Sequence, residues 1–141
     1  MNTALLMTNG CFWRLIMIRF LLALIVALPI SCGLNKATQI EQGKALFHSV
    51  HIGKNKVIGC ISCHTLKPNV KTVGPSLYSL SLRADKLVAG LTAQQYIKES
   101  IINPDAYLVS GYEPAVMFTR YKQELSEAEI NAIVAYLLNL K

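Results

Sequence analysis

The hydrophobic positions of the chain recur mainly with the period of an α-helix. Apolar residues on one side of residues 37–48 predict a first helix there. Ser126 and Glu129 have the spacing of a capping box, so the last helix is predicted to begin after Ser126 and to continue toward the C-terminus. Its apolar residues fall at i, i+3, i+4, i+7 and i+8, namely Ile130, Ile133, Val134, Leu137 and Leu138.

A further helix and long loops are predicted between these two. Thr92 and Gln95 form another capping box, and Pro104 stops that helix after Ile102. A single helical turn is predicted at residues 60–64.

Residues 51–59 and 67–75 are predicted to be loops, because they carry glycines, lysines and prolines without a helical pattern. No segment alternates convincingly with a period of two. The pattern therefore predicts an all-α domain with long loops. A domain this small needs something besides side chains at its centre.

The first 31 residues have the pattern of an export signal. Arg14 and Arg19 precede Phe20–Ile30, an apolar run of eleven residues. A membrane-spanning helix needs about 20 such residues, so export is the favoured interpretation. Met17 is an alternative start, because together with Arg19 and the apolar run it forms a complete short signal.

The end of this segment, Leu28–Gly33, resembles the processing site of a bacterial lipoprotein, in which the cysteine, here Cys32, is acylated. Pro29 stands where such sites usually have leucine. Simple cleavage and an uncleaved anchor are the alternatives. The predicted organisation is an export signal at 1–31, a tether at 32–36 and one domain at 37–141.

Composition and charge exclude several classes of function. The chain is 52% hydrophobic and 16% charged, which is not the composition of a disordered tail. Beyond Cys32, twelve basic residues oppose eight acidic ones, a net charge of +4. This excess is small and lacks clusters of aromatic and basic residues, so no nucleic acid partner is predicted.

Residues 60–64 read Cys-Ile-Ser-Cys-His, the spacing of a c-type haem attachment motif. The thiols of Cys60 and Cys63 lie one helical turn apart, which suits the two vinyl groups on one edge of a porphyrin. His64 is then held beneath the ring, where its imidazole can bind the iron. The motif predicts one covalently bound haem c per chain.

Other chemistry is compatible with two cysteines at this spacing. A zinc site formed with His48 and His51 is one alternative, although the spacing matches no common zinc module. A disulfide between Cys60 and Cys63 is another, but it leaves His64 without a role. Thioredoxin-like redox chemistry needs a βαβ context, which the pattern lacks.

Met117 is the methionine of the predicted domain, since the other three methionines of the chain lie in the signal region. It falls in a loop between two predicted helices, from which a thioether can reach the iron opposite His64. Met117 is therefore predicted as the sixth iron ligand, with His48 and His51 as its rivals.

A longer series of residues, in order along the chain, extends these observations. It comprises Gly43, Phe47, Cys60, Cys63, His64, Gly74-Pro75-Ser76-Leu77, Tyr96–Ile101, Pro104, Gly111-Tyr112, Met117, Leu125-Ser126 and Ala135-Tyr136-Leu137. In this series the sequence resembles the class I cytochromes c, and it is most similar to the cytochrome c domain fused in some bacteria to subunit II of haem-copper oxidases. Two features depart from the family pattern: Phe118 replaces a proline that usually follows the ligand methionine, and the loop at 49–59 is longer than in the mitochondrial proteins.

The resemblance implies a class I cytochrome c fold, in which the N- and C-terminal helices cross around one haem. Gly43 would let the two helices approach closely, with Phe47 and Tyr136 packed at the crossing. The carbonyl of Pro75 would accept the second ring N–H of His64. Five tyrosines are expected to line the haem pocket: Tyr78, Tyr96, Tyr107, Tyr112 and Tyr121.

The resemblance also implies a function. An iron closed by His64 and Met117 has no open position for a substrate, so a one-electron carrier of a respiratory chain is expected, not an enzyme, with no small-molecule substrate. We expect it in the periplasm, at the outer face of the bacterial cytoplasmic membrane, tethered through a lipid on Cys32. Its partners would be membrane redox complexes, such as a terminal oxidase. The alternative is a fixed haem subunit of a larger membrane-bound oxidoreductase.

Charge is uneven along the predicted domain. Residues 36–71 contain six lysines and one glutamate, a net charge of +5, whereas residues 72–141 carry six basic and seven acidic side chains. The positive excess surrounds the haem attachment motif. An acidic docking patch on the redox partner is therefore predicted.

Overall fold

The computed structural model describes residues 35–141. The predicted export signal, Cys32 and most of the predicted tether lie outside the described residues. The described part contains α1 (Lys36–His48), β1 (His51–Ile52), β2 (Val57–Ile58), α2 (Ala93–Ile102), α3 (Tyr121–Glu124) and α4 (Glu127–Leu137), with 3-10 helical turns at Cys60–Ser62, Leu80–Leu82 and Ala84–Lys86. The prediction of a helix-dominated fold is confirmed.

The helix starts follow from local hydrogen bonds. At α2, Thr92 Oγ1 accepts from the amide of Gln95 at 3.2 Å, and Gln95 Oε1 accepts from the amide of Thr92 at 2.9 Å. Ser126 and Glu129 make the same reciprocal pair at α4. Each such cap contributes about 1 kcal/mol, so both predicted capping boxes are confirmed as start signals.

The first and last helices pack directly against each other. A Cβ placed on Gly43 would overlap the backbone carbonyl of Ala132 and lie 2.9 Å from Tyr136 Cβ. Only glycine lets the two helix backbones come this close. At the same crossing the rings of Phe47 and Tyr136 lie 5.6 Å apart, and His48 Nε2 is 3.0 Å from the hydroxyl of Tyr136.

The core lies between α1, α2 and α4. Its buried side chains are Phe47, Ile52, Leu80, Ala84, Tyr96, Ile97, Ile101, Tyr121, Leu125, Ile130, Ile133, Val134, Tyr136 and Leu137. The apolar stripe predicted for α4 contributes Ile130, Ile133, Val134 and Leu137 to it. None of the helices described for residues 35–141 combines the length and the apolar character needed to span a bilayer.

A short antiparallel hairpin replaces part of a predicted loop. His51 pairs with Ile58 and Ile52 pairs with Val57, so residues 51–58 form a two-stranded ribbon. The prediction of a plain loop at 51–59 is wrong there, because strands of two residues are too short to show an alternating pattern. The predicted turn of helix at residues 60–64 is present as a 3-10 turn, Cys60–Ser62.

Candidate functional site

A cavity of about 600 Å³ opens between the helices and the loops. This volume is within the range of sites for small organic ligands and cofactors. Apolar residues from three helices form its inner wall: Phe47 of α1, Ile97 and Ile101 of α2, and Ile133 and Leu137 of α4. The predicted site residues Cys60, Cys63, His64, Pro75 and Met117 all line this cavity.

Cys60 and Cys63 are held in position by the 3-10 turn. The amides of Cys63 and His64 both donate to the carbonyl of Cys60, at 3.2 and 2.9 Å. Both thiols are free. Burial raises the pKa of Cys60 to about 11, so its sulfur is a neutral thiol near pH 7. The turn thus presents two unpaired thiols to one cavity.

His64 is fixed by its surroundings. Its Nδ1 lies 2.8 Å from the carbonyl oxygen of Pro75, and because a carbonyl can only accept, Nδ1 carries the proton. Nε2 therefore keeps a lone pair for a metal. Burial lowers the pKa of His64, partly offset by the Pro75 hydrogen bond, and this favours the neutral, ligating form.

Gly74 makes room for this imidazole. A Cβ at Gly74 would lie 2.6 Å from Cε1 of His64, closer than real carbon atoms approach. The amide of Gly74 donates to the carbonyl of Cys63 at 2.8 Å, so the segment before Pro75 is bound to the attachment motif. The backbone, as much as the histidine itself, sets the orientation of the ring.

Met117 lines the cavity from the loop that precedes α3. It is partly buried and packs against the core. The loop is fixed on one side by Asp105, whose carboxylate accepts from the amide of Ala115 at 2.9 Å. On the other side the ring of Phe118 packs edge-on against Tyr121, with centroids 5.0 Å apart.

The two other histidines do not face the cavity. His48 Nε2 is engaged with the hydroxyl of Tyr136, and His51 is exposed on β1. Within residues 35–141 no group of three His, Cys, Asp or Glu side chains is placed to hold a metal ion. The zinc alternative and the histidine rivals of Met117 therefore find no support in the described residues.

The expectation for the tyrosines is correct at four positions and wrong at one. Tyr96, Tyr107, Tyr112 and Tyr121 line the cavity. Tyr78 does not, and 46% of its surface is exposed. Its backbone amide donates to Ser76 Oγ at 3.2 Å.

Sequence reasoning missed Arg83 as a cavity residue. Its guanidinium donates to the carbonyl of Ser76 at 2.7 Å, and the side chain is part of the cavity wall. Arg83 and Arg120 are the cationic side chains that the described residues contribute to this wall. The available signal was an arginine between two apolar residues, Leu80 and Ala84, which the structure shows to be buried.

Over residues 40–141 the chain matches the family model for cytochrome c. The chain belongs to the cytochrome c family. The helix-dominated architecture is that of a class I cytochrome c, and covalently bound haem c, with its iron, is the cofactor. Comparison with curated proteins and with solved structures gave no significant match.

Haem c fits the residues that surround the cavity of this cytochrome c. Two free thiols lie on one turn, an imidazole has an uncommitted nitrogen, and the Met117 thioether lines the same cavity. The apolar inner wall suits a porphyrin face, and the two arginines suit its carboxylates. Cytochrome c domains are typically electron carriers rather than enzymes, and they are usually extracellular or periplasmic.

Proposed function

We propose that this cytochrome c is a one-electron carrier of a respiratory chain, with His64 and Met117 as the iron ligands and Cys60 and Cys63 as the points of attachment. The observation that carries the proposal is that all four side chains line one cavity, whereas His48 and His51 do not. Similarity to the domain fused to oxidase subunit II makes a haem-copper oxidase the acceptor we favour.

Each residue has a separate task in this proposal. Haem iron supplies a reversible Fe(III)/Fe(II) couple when bound. The Pro75 carbonyl holds the proton of His64 on Nδ1 and raises the basicity of Nε2. The neutral, soft sulfur of Met117 would hold the iron together with His64, and would favour the reduced state. The buried wall of α2 and α4 excludes water, which limits reorganisation when an electron moves.

Met117→Ala tests the proposed ligation. We expect a shift toward high-spin absorption, new binding of carbon monoxide to the reduced protein, and a lower reduction potential, with covalent haem retained through Cys60 and Cys63. The decrease in reduction potential should be a substantial fraction of the roughly 0.8 V over which axial ligands set haem potentials. Near-infrared and NMR spectra of the wild type provide the direct measurement of thioether ligation.

His48→Ala and His51→Ala are the matched controls for this experiment. Both should keep the wild-type spectrum and potential, since neither side chain lines the cavity. If the thioether bands are missing from the wild type and one of these histidine variants changes the ligation, a bis-histidine carrier replaces the proposal. Carbon monoxide binding by the reduced wild type would instead favour an enzyme with an exchangeable ligand.

We also propose that the protein is exported and held at the outer face of the cytoplasmic membrane by a lipid on Cys32. Cys32→Ser should release the protein from membranes, because the acyl chains would be lost. Mass spectrometry of the mature N-terminus measures this directly. Residues before Cys32 still attached to the purified protein would indicate an uncleaved anchor, and co-migration with a larger complex would indicate a fixed subunit.

Lysines around the attachment motif support an acidic docking patch on the partner. The six lysines of residues 36–71 are all exposed: Lys36, Lys44, Lys54, Lys56, Lys67 and Lys71. Lys71 lies 5.5 Å over the ring of Tyr112, which lines the cavity. We expect Lys71→Gln to slow electron transfer to an isolated oxidase about twofold to fivefold at low salt, and much less at high salt. Lys86→Gln, outside this group, should have no such effect, and equal rates for both variants would contradict the docking proposal.

A further inference from the structure

The β1–β2 hairpin is bound to the segment that follows Met117. The amide of Lys54 donates to the carbonyl of Glu124 at 3.1 Å. The hydroxyl of Tyr121 donates to the carbonyl of Ile58 at 2.8 Å. Each of these two hydrogen bonds joins residues that are more than sixty positions apart in the sequence. The hairpin and α3 are therefore one hydrogen-bonded unit.

Glu124 accepts most of the hydrogen bonds in this contact. Its carboxylate accepts from the amide of Asn55 at 3.0 Å and from Asn55 Nδ2 at 3.0 and 3.1 Å. These hydrogen bonds are the main reason why the pKa of Glu124 is lowered. Gly53, at φ +75°, adopts the left-handed turn that brings the hairpin onto α3, and a Cβ there would lie 2.9 Å from Glu124 Cβ.

Tyr121 connects this unit to the methionine loop. It follows Met117 by four residues, is only 5% exposed, and packs edge-on against Phe118. Both aromatic rings line the cavity beside Met117. At the other end, Ile58 precedes Cys60 by two residues. A single hydrogen bond between Tyr121 and Ile58 thus joins the backbone beside the attachment motif to the segment that follows Met117.

We propose that the hairpin at residues 51–58 is a positioning element for Met117, acting through Tyr121 and Glu124. Phe118 stands where a proline usually follows the ligand methionine. Without the fixed backbone of proline, the loop depends on packing and hydrogen bonds to hold the sulfur in place. The hairpin, which directly precedes the attachment motif, supplies the hydrogen bonds through Glu124 and Tyr121. Tyr121, Asn55 and Glu124 are thus positioning residues that act on the iron only through Met117. The inference rests on the proposed ligation by Met117.

Imidazole binding to the oxidised holoprotein tests the inference, because imidazole must displace the thioether before it can bind iron. Tyr121→Phe keeps the ring against Phe118 and removes only the hydroxyl. We expect it to raise the apparent imidazole affinity about fivefold to tenfold, the effect of one net hydrogen bond. Asn55→Ala and Glu124→Ala should each raise it about threefold, and the double variant should not exceed the larger single effect, because both remove the same contact.

Two controls separate positioning from a general loss of stability. Tyr78→Phe removes a hydroxyl that has no hydrogen-bond partner within residues 35–141, and Lys98→Ala removes an ion pair with Glu127 that joins α2 to α4. Both should leave imidazole affinity unchanged. In a Met117→Ala background, Tyr121→Phe should also have no effect, since the sulfur that it positions is gone.

The outcomes distinguish this inference from the proposal on which it depends. Loss of the thioether near-infrared band from the wild type itself overturns both. A wild type with that band, combined with hairpin variants that bind imidazole as the wild type does, overturns the positioning role alone. An equal gain in affinity in Lys98→Ala, or a Tyr121→Phe effect that persists without Met117, also overturns it.

Discussion

Replacing both Cys60 and Cys63 with serine is expected to abolish covalent haem attachment and to leave most of the chain unfolded. The cavity of about 600 Å³ is the reason. At about 24 cal/mol per Å³, an empty cavity of this size would cost up to about 14 kcal/mol, as much as the whole stability of an ordinary domain. This figure is an upper bound, because the cavity is open to solvent on one side and can collapse.

Covalent haem content after acid extraction and thermal unfolding followed by far-ultraviolet circular dichroism measure this effect. Each single variant should retain less haem than the wild type, because one thiol remains to react. Ser62→Ala, on the exposed side of the same turn, should retain wild-type haem content. Wild-type haem content and melting in both single variants would show that the attachment site has been assigned wrongly.

Gly43→Ala is expected to reduce the free energy of unfolding by about 3 kcal/mol or more. In an isolated helix this change is favourable by about 1 kcal/mol, so helix propensity alone predicts the opposite sign. The clash decides the outcome, because the new Cβ would overlap the carbonyl of Ala132. The helices must then separate, which also breaks the contact of Phe47 with Tyr136.

Denaturant unfolding of the holoprotein measures the loss. Lys44→Ala, at the adjacent exposed position of α1, is the control and should stay within about 0.5 kcal/mol of the wild type. Ala132→Gly should not rescue Gly43→Ala, because the obstructing atoms belong to the backbone of residue 132. A Gly43→Ala variant as stable as Lys44→Ala would mean that α1 and α4 do not meet at Gly43.

Local signals were enough to predict the three longer helices, α1, α2 and α4, but not the short α3. The capping boxes at Thr92 and Ser126 involve residues three positions apart, and both are formed in the structure. Predicting the apolar stripe of α4 required only the helical period of the hydrophobic residues. The attachment motif is equally local, since Cys60 and His64 lie within one turn. Features of this kind depend on neighbours in sequence, which is why one sequence reveals them.

Features that depend on distant residues were missed or predicted wrongly. The hairpin is held by Glu124, which lies 69 residues after Asn55, and no pattern within residues 51–59 indicates that contact. The same reason explains why Arg83 was missed and why Tyr78 was wrongly expected to line the cavity. Whether each side chain enters the cavity depends on the path of the chain after Ser76, to which the backbone amide of Tyr78 and the guanidinium of Arg83 both donate. Met117 is a distant residue that was nevertheless predicted for the site, because the other three methionines lie in the signal region, and it lines the cavity together with Cys60 and Cys63.

Because α4 forms one wall of the cavity, the order in which the chain is made affects when the two thiols are accessible for haem attachment. Ribosomes build a chain from its N-terminus, so Ile133 and Leu137 are made at least 70 residues after Cys60 and Cys63. Until they arrive, the cavity lacks one side and α1 has no helix to cross. A nascent chain therefore passes through a period in which both thiols are accessible. Packing of α4 then adds the missing wall beside whatever has been joined to the two thiols.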